Sequence, residues 1–76
     1  MTKPQPDGKW HEVSSSNIKK IRYNESSETL GIEFQSGVSW VYEDVPENVF
    51  EEFATSDSIG KAFHSMIRNQ FKAKKI

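Results

Sequence analysis

The chain has 76 residues, no cysteine and a formal net charge of −1 at pH 7. This length accommodates one domain and lies near the lower limit at which a hydrophobic core stabilises a fold without disulfides or metal ions. With 34% hydrophobic and 28% charged residues, the composition excludes a disordered chain, and the lack of cysteine excludes disulfides and thiolate metal sites.

The two ends of the chain differ in composition from its middle. Residues 1–9 contain two prolines and one glycine with almost no apolar side chains, so we predict a flexible N-terminal tail there. Residues 72–76 include three lysines, and we predict a basic tail or an extension of the last helix. A single folded domain is expected over residues 10–71.

Alternating apolar and polar residues predict three β-strands after a polar turn of serines. The first strand covers residues 18–23 and has two mixed faces. The second, residues 30–34, has the cleanest alternation in the chain, and the third covers residues 38–42. In front of them, residues 10–13 alternate weakly, which suits a short edge strand or an anchor that holds the tail against the core.

Two polar breaks suit the reversals between these strands. Residues 24–28 carry side chains that bond to their own backbone. Gly37 supplies the positive φ that a tight hairpin needs. The three strands are therefore expected to pair as an antiparallel meander.

Two helices are predicted after the meander. Pro46 ends the sheet because it has no N–H to donate, and its fixed φ suits the first turn of a helix over residues 46–54. Ser56 or Ser58 is expected to cap a second helix by accepting a backbone N–H bond. The apolar face of that helix is formed by Ile59, Ala62, Phe63, Met66 and Ile67, with Phe71 at its margin. Gln70 would point into the same face, so we expect the helix to fray or to clear the sheet before it.

Together these elements predict an α+β domain. A three-stranded antiparallel meander is followed by two helices packed on one sheet face (β-β-β-α-α). Trp40 and Tyr42 lie on the strand face that the helices must cover, so both rings are expected in the core, with their N–H and O–H groups at its rim. The opposite face, with Arg22, Glu33 and Glu43, lacks an aromatic platform for bases and is expected to form cross-strand ion pairs.

The order and spacing of several short elements resemble the KTSC domain. The matching residues are Ser15-Ser16-Asn17-Ile18, Leu30 to Phe34, Gly37, Trp40-Val41-Tyr42, Val45-Pro46, Ser58-Ile59-Gly60 and Ile67-Arg68. The resemblance covers about residues 13–71. Two positions depart from the family pattern: Trp40 stands where a tyrosine is usual, and His64 stands where an asparagine often follows the aromatic residue of the second helix.

The resemblance implies a small domain that occurs at the C-terminus of some lysyl-tRNA synthetases and also as a free-standing protein. RNA binding is suggested for the family by this association, and no cofactor is implied. For this chain the resemblance therefore favours a binding domain whose partner is RNA.

A row of basic residues agrees with that partner. If the second helix continues to the C-terminus, steps of three or four residues place the basic side chains on one solvent-facing side. The row consists of Lys61, His64, Arg68, Lys72 and Lys75. Such a row would bind a phosphate backbone with little sequence preference and with strong salt dependence. The alternative is an ordinary solvated helix face whose cations favour the negative end of the helix dipole.

A protein-interaction or structural module is the competing function. The acidic residues from Glu47 to Glu52, or the rim of aromatic rings, would then dock a protein partner. Acidic residues around the first helix and basic residues near the C-terminus give an electrically two-sided molecule. We expect a cytoplasmic monomer without membrane association, because no segment approaches the roughly 20 apolar residues of a bilayer span and no signal peptide is recognisable.

No catalytic or metal-binding constellation is recognisable, so we expect neither an enzyme nor a bound cofactor or metal ion. His11 and His64 are the only histidines, and no glycine-rich phosphate loop or nucleophile elbow occurs. The serines at residues 14–16 lie near His11 but lack a third, orienting group. Glu51 and Glu52 are adjacent and point to different helix faces, which does not suit paired acid and base catalysis.

Overall fold

The computed structural model describes residues 5–76, and residues 1–4 of the predicted tail lie outside the described part. The rest of that tail runs beside the sheet. The Gly8 N–H donates to the Tyr23 carbonyl at 2.9 Å, and Asp7 forms a β-bridge with Asn24. No helix within residues 5–76 is long and apolar enough to cross a lipid bilayer.

Five antiparallel strands form one sheet. In chain order the strands are β1 (His11–Glu12), β2 (Ile18–Asn24), β3 (Thr29–Phe34), β4 (Ser39–Tyr42) and β5 (Ala73–Lys75), and each pairs with the next. The predicted three-stranded meander is therefore the centre of the sheet, and the prediction was wrong in the number of strands. Both added strands are short edge strands, where pairing depends on an available neighbour more than on the strand's own pattern.

A β-bulge explains the mixed faces of β2. The register shifts between Ile18 and Lys20, so the intervening Lys19 has no partner on β3 and points to solvent. One extra residue reverses the alternation on either side of it. As a result Ile18, Ile21 and Tyr23 are all fully buried, although strict alternation would place Ile18 on the opposite face.

The helices cover the same sheet face. Helix α1 spans Glu47–Ala54, and helix α2 spans Ile59–Ala62 and continues as a π-helical turn over Phe63–Ile67. The predicted helix starts are confirmed to within one residue: Pro46 is the extended residue directly before α1, and the Ser58 hydroxyl accepts the Lys61 N–H at 3.4 Å. The α+β class with two helices on one side of an antiparallel sheet is thus confirmed.

Tyr23 joins the sheet to α1. Its ring stacks on Phe50 with 4.4 Å between ring centroids and 7° between ring planes. Its hydroxyl donates a hydrogen bond to the carbonyl of Val45, and the Val45 N–H donates to the Glu28 carbonyl at 2.8 Å. These bonds hold the corner between β4 and α1 against the β2–β3 turn, and so set where the helices return over the sheet.

The chain after the π turn does not continue as a helix. Arg68 is extended, with ψ 129°, and Asn69 has a left-handed φ of 63°. The chain then turns back, and Ala73, Lys74 and Lys75 pair with Tyr42, Val41 and Trp40. The expectation that the helix ends before Gln70 is confirmed, whereas the prediction of a basic tail or helix extension at the C-terminus was wrong, because these residues form β5.

Replacing Tyr23 with Phe is expected to destabilise the fold. The variant leaves the buried Val45 carbonyl without its donor, so the free energy of unfolding should fall by about 1–3 kcal/mol in urea titrations. Tyr42→Phe is the matched control, because the Tyr42 hydroxyl has no hydrogen-bond partner within residues 5–76, and its effect should stay within about 0.5 kcal/mol. Equal losses in the two variants would contradict the role of the Tyr23 bond.

Alkaline pH should also weaken the fold through Tyr23. Burial raises the pKa of the Tyr23 hydroxyl above its ordinary value of 10.0, and Glu28 adds to the rise. The folded chain therefore holds this proton more tightly than the unfolded chain, and the free energy of unfolding should fall as the pH rises above about 10. In Tyr23→Phe this fall should be smaller, as measured by urea titrations at several pH values.

Candidate functional site

The five basic residues predicted on one helix face are divided among different elements. Lys61 lies in α2, His64 in the π turn and Arg68 directly after it, while Lys72 precedes β5 and Lys75 lies in β5. All five side chains are exposed. A single helical row is therefore wrong, because the helix ends at Ile67. Two of the five residues, His64 and Arg68, lie beside the same cleft.

A cleft of about 430 Å³ lies between the π turn, β4 and β5. We call it the aromatic cleft because most of its walls are rings. Its lining residues are Phe34, Trp40, Tyr42, Phe63, His64, Arg68, Asn69, Phe71 and Ala73. It therefore combines the predicted aromatic pair with two of the predicted basic residues.

Phe63 forms the floor of the aromatic cleft. Its ring meets Phe34 edge-on at 5.4 Å and Tyr42 edge-on at 5.7 Å, with interplanar angles of 78° and 77°. His64 packs against the same ring at 5.5 Å. Edge-to-face contacts of this kind restrain each ring relative to the next, so the floor and walls of the cleft are fixed by the hydrophobic core.

Trp40 and Tyr42 are buried to different extents. Tyr42 is only 7% exposed and belongs to the core, as predicted. Trp40 is half-buried and borders the core from outside, as Phe34 and Phe71 also do. Within residues 5–76, neither the indole N–H of Trp40 nor the hydroxyl of Tyr42 has a hydrogen-bond partner. Three ring faces and two unused polar groups thus remain at the aromatic cleft.

The π turn carries Arg68 towards the cleft. Its defining bond runs from the Arg68 N–H to the Phe63 carbonyl at 2.8 Å, five residues back. Five residues complete little more than one turn of a π-helix, so Arg68 follows Phe63 on the same side of the helix. In a regular α-helix it would lie farther round towards solvent. Isolated π turns are frequent at functional sites.

Arg68 and His64 contact each other at the cleft. One guanidinium nitrogen of Arg68, Nη1, lies 3.3 Å from His64 Nδ1. Because a guanidinium group only donates, Nδ1 accepts this bond, and the imidazole carries its proton on Nε2. The Nε2–H group and the remaining guanidinium donors of Arg68 are left for other contacts.

The electrostatics of the aromatic cleft favour an anion. Arg68 is the charged residue of its lining, and none of the described lining residues is a carboxylate. Burial raises the pKa of the Tyr42 hydroxyl, and the positive charge of Arg68 partly opposes this rise. Lys75 is the register partner of Trp40, and directly paired residues share a sheet face, so its ammonium group adds positive charge beside the cleft.

On the opposite sheet face, lysines pair with carboxylates. Glu33 pairs with Lys19 and with Lys20 at 3.8 Å each, and Glu43 pairs with Lys74 at 3.7 Å. The predicted ion pairing of this face is therefore confirmed for Glu33 and Glu43, whereas Arg22 forms no ion pair within residues 5–76. The lysines of this face have carboxylate partners, and Arg68 and Lys75 have none among the described residues.

The opposite face also holds an aromatic ring that the sequence analysis missed. Trp10 packs over Gly31, with Arg22 4.8 Å and Lys20 5.3 Å from its ring. A Cβ atom built on Gly31 would lie 3.4 Å from the indole ring, so the ring packs closely over the backbone of this glycine. A glycine inside a strand was the available signal for such an approach.

The serine-rich turn has a structural role. The Ser15 hydroxyl accepts the N–H groups of Asn17 and Ile18 at 3.3 Å each. A Cβ on Gly60 would lie 3.5 Å from Ser15 Oγ and from Asn17 Oδ1, so α2 packs closely on this turn. His11 contacts Asp7 at 2.8 Å, so of the groups considered for acyl transfer, the His11 ring and the Ser15 hydroxyl have other partners.

Three comparisons show what the chain is similar to. The family model described as KTSC domain matches residues 14–71. A lysine–tRNA ligase of Nostoc sp. is 44% identical over 55 residues, which are 72% of this chain and 10% of the ligase. An uncharacterized protein of Stutzerimonas stutzeri is 31% identical over 76% of this chain and 82% of its own length.

The solved structures include a close match. The crystal structure of a KTSC domain protein from Yersinia pestis has a TM-score of 0.87 and 32% sequence identity, over 90% of this chain and 96% of that one. In the lysine–tRNA ligase of Nostoc sp., by contrast, the chain corresponds to about a tenth of the length. The similarity therefore extends over nearly all of a free-standing protein and over one small part of a large enzyme.

The turn at Asn69 should tolerate glycine but not a β-branched residue. Its φ of 63° lies in the left-handed region, which asparagine and glycine adopt more readily than other residues. We expect Asn69→Val to lower the free energy of unfolding by about 1–2 kcal/mol, and Asn69→Gly to have a smaller effect. Thermal unfolding of both variants checks this, and an equal loss in the two would contradict a backbone cause.

Proposed function

The chain belongs to the KTSC domain family, and we propose that it is a non-enzymatic RNA-binding domain. Its proposed RNA-binding surface is the aromatic cleft with Arg68, His64 and Lys75 at its edge. The observation that carries the proposal is the meeting of accessible aromatic rings with cations that have no carboxylate partner. Phosphates and bases require these two kinds of group side by side.

The cations support binding of phosphate. Arg68 is exposed and shares one hydrogen bond with His64, which leaves guanidinium donors that can bind two phosphate oxygens at once. Lys75 supplies a point charge on the same side of the sheet as Trp40. Lys61 and Lys72, which lie outside the aromatic cleft, would extend the positive field without contacting a base.

The relatives support RNA, rather than another polyanion, as the ligand of the cleft. The ligases that contain a similar segment are named for the joining of lysine to a tRNA. A basic, aromatic surface on such a segment would contact the nucleic acid that the enzyme handles. The positive charge and the rings of the cleft agree with an RNA partner.

Docking of a protein is the second candidate function. Glu47, Glu51 and Glu52 are exposed on α1, and within residues 5–76 none of them forms an ion pair. A basic protein surface would find charge complementarity there. The acidic surface lies on α1 rather than on the residues that line the aromatic cleft, so the two candidate functions predict effects of different substitutions.

Binding to a fluorescein-labelled oligouridylate, measured by anisotropy from about 50 to 200 mM salt, tests the RNA-binding proposal. We expect the logarithm of the association constant to fall linearly with the logarithm of the salt concentration, and we call the steepness of this fall the salt slope. Arg68→Gln should weaken binding and make the salt slope shallower by about 0.7, which is the contribution of one phosphate contact on a single strand.

Lys19→Gln is the matched control for Arg68→Gln. It also removes one positive charge from an exposed side chain, but Lys19 lies on the ion-paired sheet face. Its salt slope should equal that of the unmodified protein. Equal effects of the two substitutions would argue against the cleft, and the absence of binding at low salt would remove the RNA-binding proposal. Binding to a basic protein that is lost in Glu51→Gln would then favour the second candidate.

A further inference from the structure

We propose that the aromatic cleft holds one unpaired nucleobase of an RNA strand, stacked against Trp40, while Arg68 binds the phosphate next to it. This inference rests on the proposed RNA-binding function and specifies its ligand. It predicts a preference for single-stranded over double-stranded RNA, which a row of cations alone would not produce.

The size of the cleft suits a single base. Its volume, about 430 Å³, lies near the lower end of the roughly 300–1,000 Å³ typical of small-molecule sites. A duplex cannot place a base in such a space, because its bases are stacked and paired inside the helix. An unpaired nucleotide can present its flat face to a ring without that cost.

The walls of the cleft suit a flat, aromatic ligand. Trp40, Phe34 and Phe71 border the core and are half-buried, so each keeps part of its ring accessible. The floor beneath them is the buried Phe63. A base that enters would be surrounded by rings, and stacking on such rings tolerates any of the four bases.

Polar groups at the cleft suit the edges of a base. Asn69 is exposed and in the cleft lining, and its amide carries both donors and an acceptor. The Trp40 N–H and Tyr42 hydroxyl have no bonding partner in the part of the chain that the structure describes. These groups can bond to a base edge without giving up a protein hydrogen bond.

The charge of the cleft suits the attached phosphate. Arg68 follows Phe63 on the same side of the π turn, and Lys75 lies on the sheet face of Trp40. A ring wall with cations beside it matches the order of base and phosphate along an RNA strand. The lack of a carboxylate among the described lining residues removes the repulsion that an acidic cleft would impose.

Three RNA ligands separate base recognition from phosphate binding. The first is a short oligouridylate, the second an abasic oligonucleotide with the same number of phosphates, and the third a blunt-ended RNA duplex. We expect the unmodified protein to bind the oligouridylate about 5- to 150-fold more tightly than the abasic strand, the range for one stacked base. The protein should bind the duplex no more tightly than the abasic strand when the two have the same number of phosphates.

Substitutions test whether Trp40 causes the preference for the oligouridylate over the abasic strand. Trp40→Ala should abolish the difference between the two single strands, and Trp40→Phe should restore part of it because it keeps a ring. Trp10→Ala is the matched control, since it also removes an indole ring but Trp10 lies on the opposite sheet face, and it should retain the full preference. Circular dichroism checks that each variant folds.

Fluorescence supplies a second measurement that does not depend on the alanine variant. In Trp10→Phe the remaining tryptophan is Trp40, and the oligouridylate should change its emission while the abasic strand should not. Equal affinity for the two strands, or an unchanged emission, would overturn base recognition and leave salt-dependent RNA binding intact. Failure of all three ligands to bind at low salt would overturn both the inference and the proposed function.

Discussion

The packing of Phe63 against the sheet is the contact on which both the core and the aromatic cleft depend. Its ring is 4% exposed and meets Phe34 and Tyr42 edge-on. On its other side it supports His64. One buried side chain therefore holds the middle of the helical segment to strands β3 and β4, and the same ring forms the floor of the cleft. Loss of its volume would disturb stability and the cleft together.

The π turn that begins at Phe63 links this packing to the C-terminal strand. It closes at Arg68, where the backbone becomes extended, and Asn69 reverses the chain in a left-handed conformation. Only after this reversal can Ala73 to Lys75 reach the free edge of β4. The aromatic cleft is the space enclosed by this return. Its shape follows from how the helix ends, and its positive charge follows from which residues lie at that end.

The two faces of the sheet use charge differently. On the outer face, carboxylates on β3 and after β4 neutralise lysines of β2 and β5, while Trp10 stacks with Arg22 and Lys20. On the side of the helices, Arg68 and Lys75 lie at the aromatic cleft without carboxylate partners among the described residues. A near-neutral molecule thus presents one surface with unbalanced positive charge, and that surface contains the accessible rings.

Elements that depend on local chemistry can be predicted from the residues at their ends and from their alternation. Gly37 set a hairpin through its positive φ, Pro46 and Ser58 started the two helices, and alternation placed Leu30 to Phe34 on a strand. The path of the chain after Ile67 depends instead on contacts between distant elements. The lysine-rich segment of β5 has no strand pattern of its own and pairs because β4 offers an open edge. The cleft likewise joins residues from positions 34 to 73, and a local pattern cannot encode a contact between side chains that only folding brings together.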